Sequence, residues 1–259
     1  MKRGGSLSKL YLVLVFLFLY VPIFCVVIYS FNVSRTSAVW GGFTLSWYGV
    51  MAADRKLLDA LGNSLIVAGA SAALSAVLGG LAAVGAEKLR QKLKAATSGL
   101  IFLPLLVPEI ILGVSLMMFF SLSPLSYGLT TLILAHTTFC IPYVFLMVQI
   151  RLKTIDPAIV EAARDLGAKR ATAFFTVVLP LILPAILSGT LLSVAMSLDD
   201  VVISSFVSGP TSTTLPIRVF SMLKLGVTPE INALCTLMLV FTFMVVAITR
   251  NAGALITGE

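Results

Sequence analysis

The sequence alternates long apolar runs with short polar interruptions. A helix needs about 20 apolar residues to cross a hydrocarbon core. Stretches of that kind run from Leu10 to Phe31, Ala60 to Ala86, Ala95 to Phe120 with only Glu109 intervening, Leu129 to Ile150, Ala171 to Leu198 and Ile231 to Thr249. They predict six spans over about 10–31, 64–86, 99–120, 129–150, 178–198 and 231–249. The fifth stretch is long enough to keep its first turn outside the lipid. The first lacks the short apolar core and small-residue cleavage site of a secretory signal, so it reads as a retained helix. The expected fold is an all-α polytopic membrane protein, a single transmembrane domain over 1–259.

Composition removes most alternatives. Of 259 residues, 59% are hydrophobic and 11% charged, with a mean hydropathy of +1.06, whereas a soluble domain carries roughly a quarter charged residues. A soluble enzyme, a disordered chain and a nucleic-acid binder are excluded on that ground. The net charge of +7 comes from basic residues set between apolar runs, which points to topology. With a cytoplasmic N-terminus, segments 1–9, 87–98, 151–170 and 250–259 hold 3, 4, 5 and 1 Lys plus Arg, and outer loops 32–59 and 199–230 hold 3 and 2. Thirteen against five is a positive-inside bias, so both termini are expected on the cytoplasmic side of a bacterial inner membrane. Cys25, Cys140 and Cys235 are dispersed among the spans, a pattern of buried thiols and not of a disulfide framework or a metal site. Asn32-Val33-Ser34 forms a sequon on the outer side, a weak signal by itself.

The segment Arg151 to Pro180, between spans four and five, is built to fold. Asp156 suits an N-cap and Pro157 the first helical position. Ile159, Val160, Ala163 and Leu166 give a short helix one apolar side, and Gly167 can take the left-handed conformation that ends it. A second helix starting near Ala168 then leads to Pro180. The result is a cytoplasmic helix-turn-helix over 151–177.

Within it stand Glu161-Ala162-Ala163, three residues, Gly167, nine residues, Val177, one residue and Leu179-Pro180. This pattern resembles the EAA loop of ABC-importer permeases and falls before the penultimate span, as in that family. The resemblance implies the six-span type I ABC importer permease fold. It also implies that the loop is a coupling helix docked on an ATPase, with Glu161, Ala162, Ala163, Asp165, Gly167, Leu179 and Pro180 as coupling residues. A different reading lays the helix on anionic headgroups through Arg151, Lys153, Arg164, Lys169 and Arg170, but it leaves the spacing to Pro180 unexplained. The chain contains no G-x-x-x-x-G-K-[ST] loop, so ATP and Mg are expected on a partner ATPase and no cofactor on this chain.

Carboxylates at membrane depth cost a few kcal/mol and usually line a pathway or find a partner. Glu109 follows Pro104 and Pro108, where the helix can break. Both a cation-attracting role and a structural hydrogen bond are open for it. Asp199 and Asp200 close the fifth span and point about 100° apart on a helix, so only one is expected to face a pore.

Ser197 to Pro210, Leu215-Pro216 and Gly226 to Leu234 resemble the spermidine/putrescine branch of ABC permeases, as do Tyr29-Ser30-Phe31-Asn32, Trp47-Tyr48 and His136 to Tyr143. The likeness fits the second permease subunit type. It implies a polyamine importer built from two homologous permease subunits in a heterodimer, a pair of ATP-binding subunits and a periplasmic polyamine-binding protein, embedded in lipid and without nucleic acid. Carboxylates and aromatic faces suit polyamine ammonium groups. Glu109, Asp199, Asp200, Phe206, Phe220, Lys224 and Glu230 are therefore the pathway and gate candidates. Phe220 and Lys224 share a helical face; a gate and an ordinary amphipathic helix both explain them.

An intramembrane hydrolase built on Ser115 and His136 lacks any nucleophile-elbow context. An ion-coupled secondary carrier would have spans and buried carboxylates too, but no reason for an EAA-like loop. A permease of the same type carrying another small solute is the nearer alternative.

Overall fold

The structure, a computed structural model, describes residues 6–34, 39–224 and 226–257; Lys2, Arg3 and Arg35 of the charge balance lie outside them. The described chain is helical, with one isolated bridge between Asn32 and Phe43. In order come α1 (Ser6–Tyr29), α2 (Ser46–Ala53), α3 (Arg55–Glu87), α4 (Gln91–Leu106), α5 (Glu109–Ser121) and α6 (Leu129–Leu152). They are followed by α7 (Pro157–Asp165), α8 (Arg170–Ala173), a π turn (Phe174–Val178), α9 (Leu179–Asp199), α10 (Val202–Val207), α11 (Leu215–Leu223) and α12 (Pro229–Thr257).

Four helical runs are long and apolar enough to cross a bilayer: α1, α3, α6 and the continuous stretch Arg170–Asp199. The α4–α5 pair passes only as a unit, bent by 103° at its break, and the apolar part of α12 is the shorter Pro229–Met244. The expected third span over 99–120 is therefore two helices. Pro108 explains the break, since it has no N–H for the ladder and its ring clashes with the preceding turn. The residue before a proline is driven to extended geometry, and Val107 sits at φ −83°, ψ 132°.

The chain divides into two compact units, one holding residues up to Leu58 and from Val219 on, the other Asp59–Arg218. In the first, α12 packs on α1 and α2. α1 leaves nearly all its apolar side chains exposed, Phe18 at 82%, as befits a helix among acyl chains. The turn after α1 is organised by Asn32, whose Nδ2 donates to the Val39 carbonyl at 2.8 Å while Oδ1 accepts from Gly41 N–H at 2.8 Å. Trp47 Nε1 donates to the Asn32 carbonyl at 2.8 Å, and Phe31 stacks on Phe43. With its amide buried and bonded on both sides, Asn32 is a structural residue and not a glycan acceptor in this fold.

In the second unit α6 is central, with His136, Phe139, Cys140, Val144, Phe145 and Val148 all buried. Lipid tails are as apolar as leucine, so membrane helices associate through close backbone approach and interhelical hydrogen bonds. α3 accordingly buries Ala68, Ser71, Ala72, Ser75, Ala83 and Ala86. On α9, a Cβ on Gly189 would stand 2.7 Å from Val144 Cα, so only glycine permits that α6–α9 approach. The π turn leads into Pro180, and Leu179 N–H donates to the Phe174 carbonyl five residues back. This widened turn accommodates a proline whose missing N–H would interrupt an α-ladder. As a result α8, the π turn and α9 form one uninterrupted 30-residue helix.

Candidate functional site: a carboxylate-lined cavity and the loop around α7

The break at Pro108 leaves Glu109 in the first turn of α5. A negative charge there is favoured by the amide dipoles of the helix N-terminus. α9 ends where Asp200 turns extended, at φ −69°, ψ 121°, and the chain re-enters a helix at α10. Glu109, Asp199 and Asp200 thereby border one cavity of about 290 Å³, with Phe139, Tyr143 and Met196 in its wall. Phe139 and Tyr143 are four residues apart and share a face of α6.

The two aspartates differ in state. Asp199 is exposed, and among the described residues neither it nor Glu109 forms a hydrogen bond or ion pair. Asp200 is 6% exposed at its side chain. Its Oδ1 accepts from Ile203 N–H at 3.1 Å, and its Oδ2 accepts from Ser204 N–H and Ser204 Oγ–H, each at 2.7 Å. These bonds cap α10 and replace the water a buried carboxylate gives up.

His136 completes this corner. It is 1% exposed, with Nδ1 2.7 Å from Ser197 Oγ and Nε2 2.9 Å from Ser204 Oγ and 3.4 Å from Asp200 Oδ2. The grouping of serine, histidine and aspartate is not that of a hydrolase, in which the carboxylate orients the nitrogen facing away from the nucleophile. Here Asp200 and Ser204 meet the same nitrogen, and Ser197, on the other one, is buried as Ser204 is, with no room for a substrate at either hydroxyl. Ser115 is elsewhere engaged, donating to the Ile111 carbonyl at 2.7 Å.

Phe206 is not part of the cavity wall. Phe206 packs over Gly113 and against the cluster of Phe120, Leu132, Phe139 and Ile203. Phe220, Lys224 and Glu230 belong to the other unit. There Lys224 Nζ lies 4.7 Å above the Phe220 ring centre, a cation–π pair worth about 0.5–1 kcal/mol when exposed. Glu230 occupies the first turn of α12.

In the loop, Asp156 accepts from Ala158 N–H at 2.9 Å to cap α7, with Pro157 at its start. Gly167 takes φ +88° and turns the chain towards α8. Glu161, Asp165 and Gly167 border a surface recess with Arg164, Ala168 and Lys169. Ala162 is exposed and Ala163 half-buried, while Leu166 is 90% exposed. Leu166 thus presents an apolar side chain to the surroundings instead of completing an inward face. Leu179 and Pro180 begin α9, in one helix with α8.

Sequence reasoning singled out the carboxylates but not the residues that give them different roles: Ser197, Ser204 and His136 as a holder of Asp200. A serine or histidine every three or four residues in an apolar helix was the available sign.

The family profile of binding-protein-dependent transport system inner membrane components matches residues 75–255. The chain belongs to this family. As a binding-protein-dependent permease it is a multi-pass membrane protein. It is similar to the spermidine/putrescine transport system permease protein PotC of Haemophilus influenzae, 42% identical over 94% of this chain and 95% of that protein. The putrescine transport system permease protein PotI of Escherichia coli K12 is 46% identical over 88% of this chain and 84% of its own. Among solved structures, a bacterial ABC transporter that imports the acidic polysaccharide alginate aligns over 97% of this permease and 99% of its own chain, with a TM-score of 0.76 at 15% identity. That last likeness is one of fold: an ABC importer permease fold.

Proposed function

We propose that this permease forms half of the pathway of an ATP-driven importer for polyamines, spermidine or putrescine. The observation that carries the reading is the cavity in which Glu109, Asp199 and Asp200 stand with Phe139 and Tyr143. Fold does not choose the cargo, since the same fold serves an importer of an acidic polysaccharide. Cargo is argued from charge. Two unpaired carboxylates beside aromatic rings attract alkylammonium groups and repel acidic sugars. The names of the relatives support the same choice.

The partners are a second, similar permease subunit, a pair of ATPase subunits that hold ATP and Mg, and a periplasmic binding protein. Both termini and α7 lie on the cytoplasmic side. An ATPase that grips α7 through Glu161, Ala162, Ala163 and Asp165 moves Gly167 and α8. Because α8 continues unbroken through the π turn, Leu179 and Pro180 to Asp199, a push at the loop reaches the cavity along one helix. Phe206 in one unit, and Phe220, Lys224 and Glu230 in the other, each serve the pathway or its gate.

Reconstitution tests the whole reading. The assembled transporter in proteoliposomes should hydrolyse ATP faster, and accumulate labelled polyamine, when spermidine- or putrescine-loaded binding protein is added. Stimulation by an unrelated solute with neither polyamine active sinks the cargo; no ATPase co-purifying in mild detergent sinks the importer.

A further inference from the structure

We infer that His136 is a positioning residue of the pathway, one that holds the α9–α10 corner so that Asp199, and not Asp200, faces the cavity as a free carboxylate. The inference rests on the polyamine reading only for the cargo used in part of its test.

Ser204 N–H and Oγ–H both donate to Asp200 Oδ2. Since its own proton goes to Asp200, Ser204 Oγ is left to accept from His136 Nε2–H. In the neutral ring Nδ1 then accepts from Ser197 Oγ–H; hydroxyl and ring protons are assigned here from the bonding order. Ser71 Oγ on α3, which donates to the Ala68 carbonyl at 3.3 Å, lies 3.5 Å from Ser197 Oγ. The chain of bonds therefore runs from the end of α9 across α6 to α10, on both sides of the two aspartates.

Asp199 needs such support because its side chain has no hydrogen-bond or ion-pair partner among the described residues. It is the last residue of α9, exposed, and next to a residue with extended backbone. Its direction is set by where the helix ends, which Ser197 fixes two residues before and Asp200 one residue after. His136 bonds Ser197 directly and Asp200 through Ser204. It also packs against Phe139, ring centres 5.1 Å apart, and so bears on a second residue of the cavity wall. In hydrocarbon surroundings these bonds have few competitors, and each contributes about 1 kcal/mol.

His136→Ala and Ser204→Ala break the chain at different points. The cargo-independent measurement starts from Asp199→Cys, with the three native cysteines replaced by Ala, in the assembled transporter. The rate of modification by a cationic methanethiosulfonate should change about fivefold when either break is added, the factor given by one hydrogen bond of ordinary strength. An unchanged rate in both overturns the inference whatever the cargo. The cargo measurement compares spermidine with putrescine uptake per assembled transporter. Loss of His136 should change their ratio about fivefold in the Asp199 protein and leave it unchanged in an Asp199→Asn background. Equal loss for both substrates, or the same ratio shift in that background, identifies a merely structural histidine and also overturns it. If the unaltered transporter moves neither polyamine, the cargo reading fails while the modification rates still decide the role of His136.

Discussion

Asp199 and Asp200 are chemically identical neighbours with different fates. Asp200 satisfies α10 and His136, whereas Asp199 has its charge free at the cavity. Their amide variants should therefore separate. Asp200→Asn replaces an oxygen that accepts two bonds from Ser204 and should destabilise the protein by about 1–3 kcal/mol, read as a lower melting temperature in detergent. Asp199→Asn should melt like the unaltered protein but lose uptake at least tenfold, the scale of a lost charge-assisted contact. The opposite pattern would exchange the two assignments. Sequence alone showed that two adjacent acids on one helix could not both face a pore, but the choice depended on α9 ending between them.

At the scale of elements, proline and glycine decide where motion can be transmitted. Pro108 breaks one helix into α4 and α5, while Pro180 is absorbed by a π turn that keeps α8 and α9 continuous. Gly167 provides the corner in front of that lever at φ +88°. A β-branched residue there pays about 1–2 kcal/mol for left-handed backbone. Gly167→Val should insert normally yet abolish uptake and weaken ATPase co-purification, with Gly167→Asn, which tolerates that region, retaining more of both. Glu161→Lys should do the same by reversing the charge on an exposed face of α7. Full transport in Gly167→Val and Glu161→Lys would remove the loop from the coupling path. The cap at Asp156 and the turn at Gly167 were legible because both depend on local backbone chemistry. The exposure of Leu166 was not, since a helix pattern does not reveal whether its apolar side is covered.

For the molecule as a whole, charge distribution sets orientation. Thirteen Lys plus Arg in the segments expected on one side against five on the other predict a cytoplasmic α7. Leu166, 90% exposed, gives this a direct test. With the native cysteines replaced, Leu166→Cys should react with an impermeant maleimide in inverted vesicles and remain unlabelled in intact spheroplasts until they are permeabilised. Labelling from outside would invert the topology and remove the loop from any ATPase. α1, packed on α12 yet exposed along its apolar length, shows the same dependence on surroundings: most of its surface is shaped for an apolar medium.

The sequence by itself determined the membrane character, the long apolar helices α1, α3, α6 and α9, and the local chemistry of the loop around α7. Hydropathy, caps and turn residues act over a few neighbours and are written in order along the chain. Only the tertiary structure decided that Glu109 and Asp199 share a cavity, that Asp200 is consumed in holding a corner, and that His136 and two serines do the holding. Those contacts join residues separated by 61 and 68 positions. In a membrane core, where every polar atom must find a partner and nearly every side chain is apolar, which partner it finds is set by helix packing and not by sequence order.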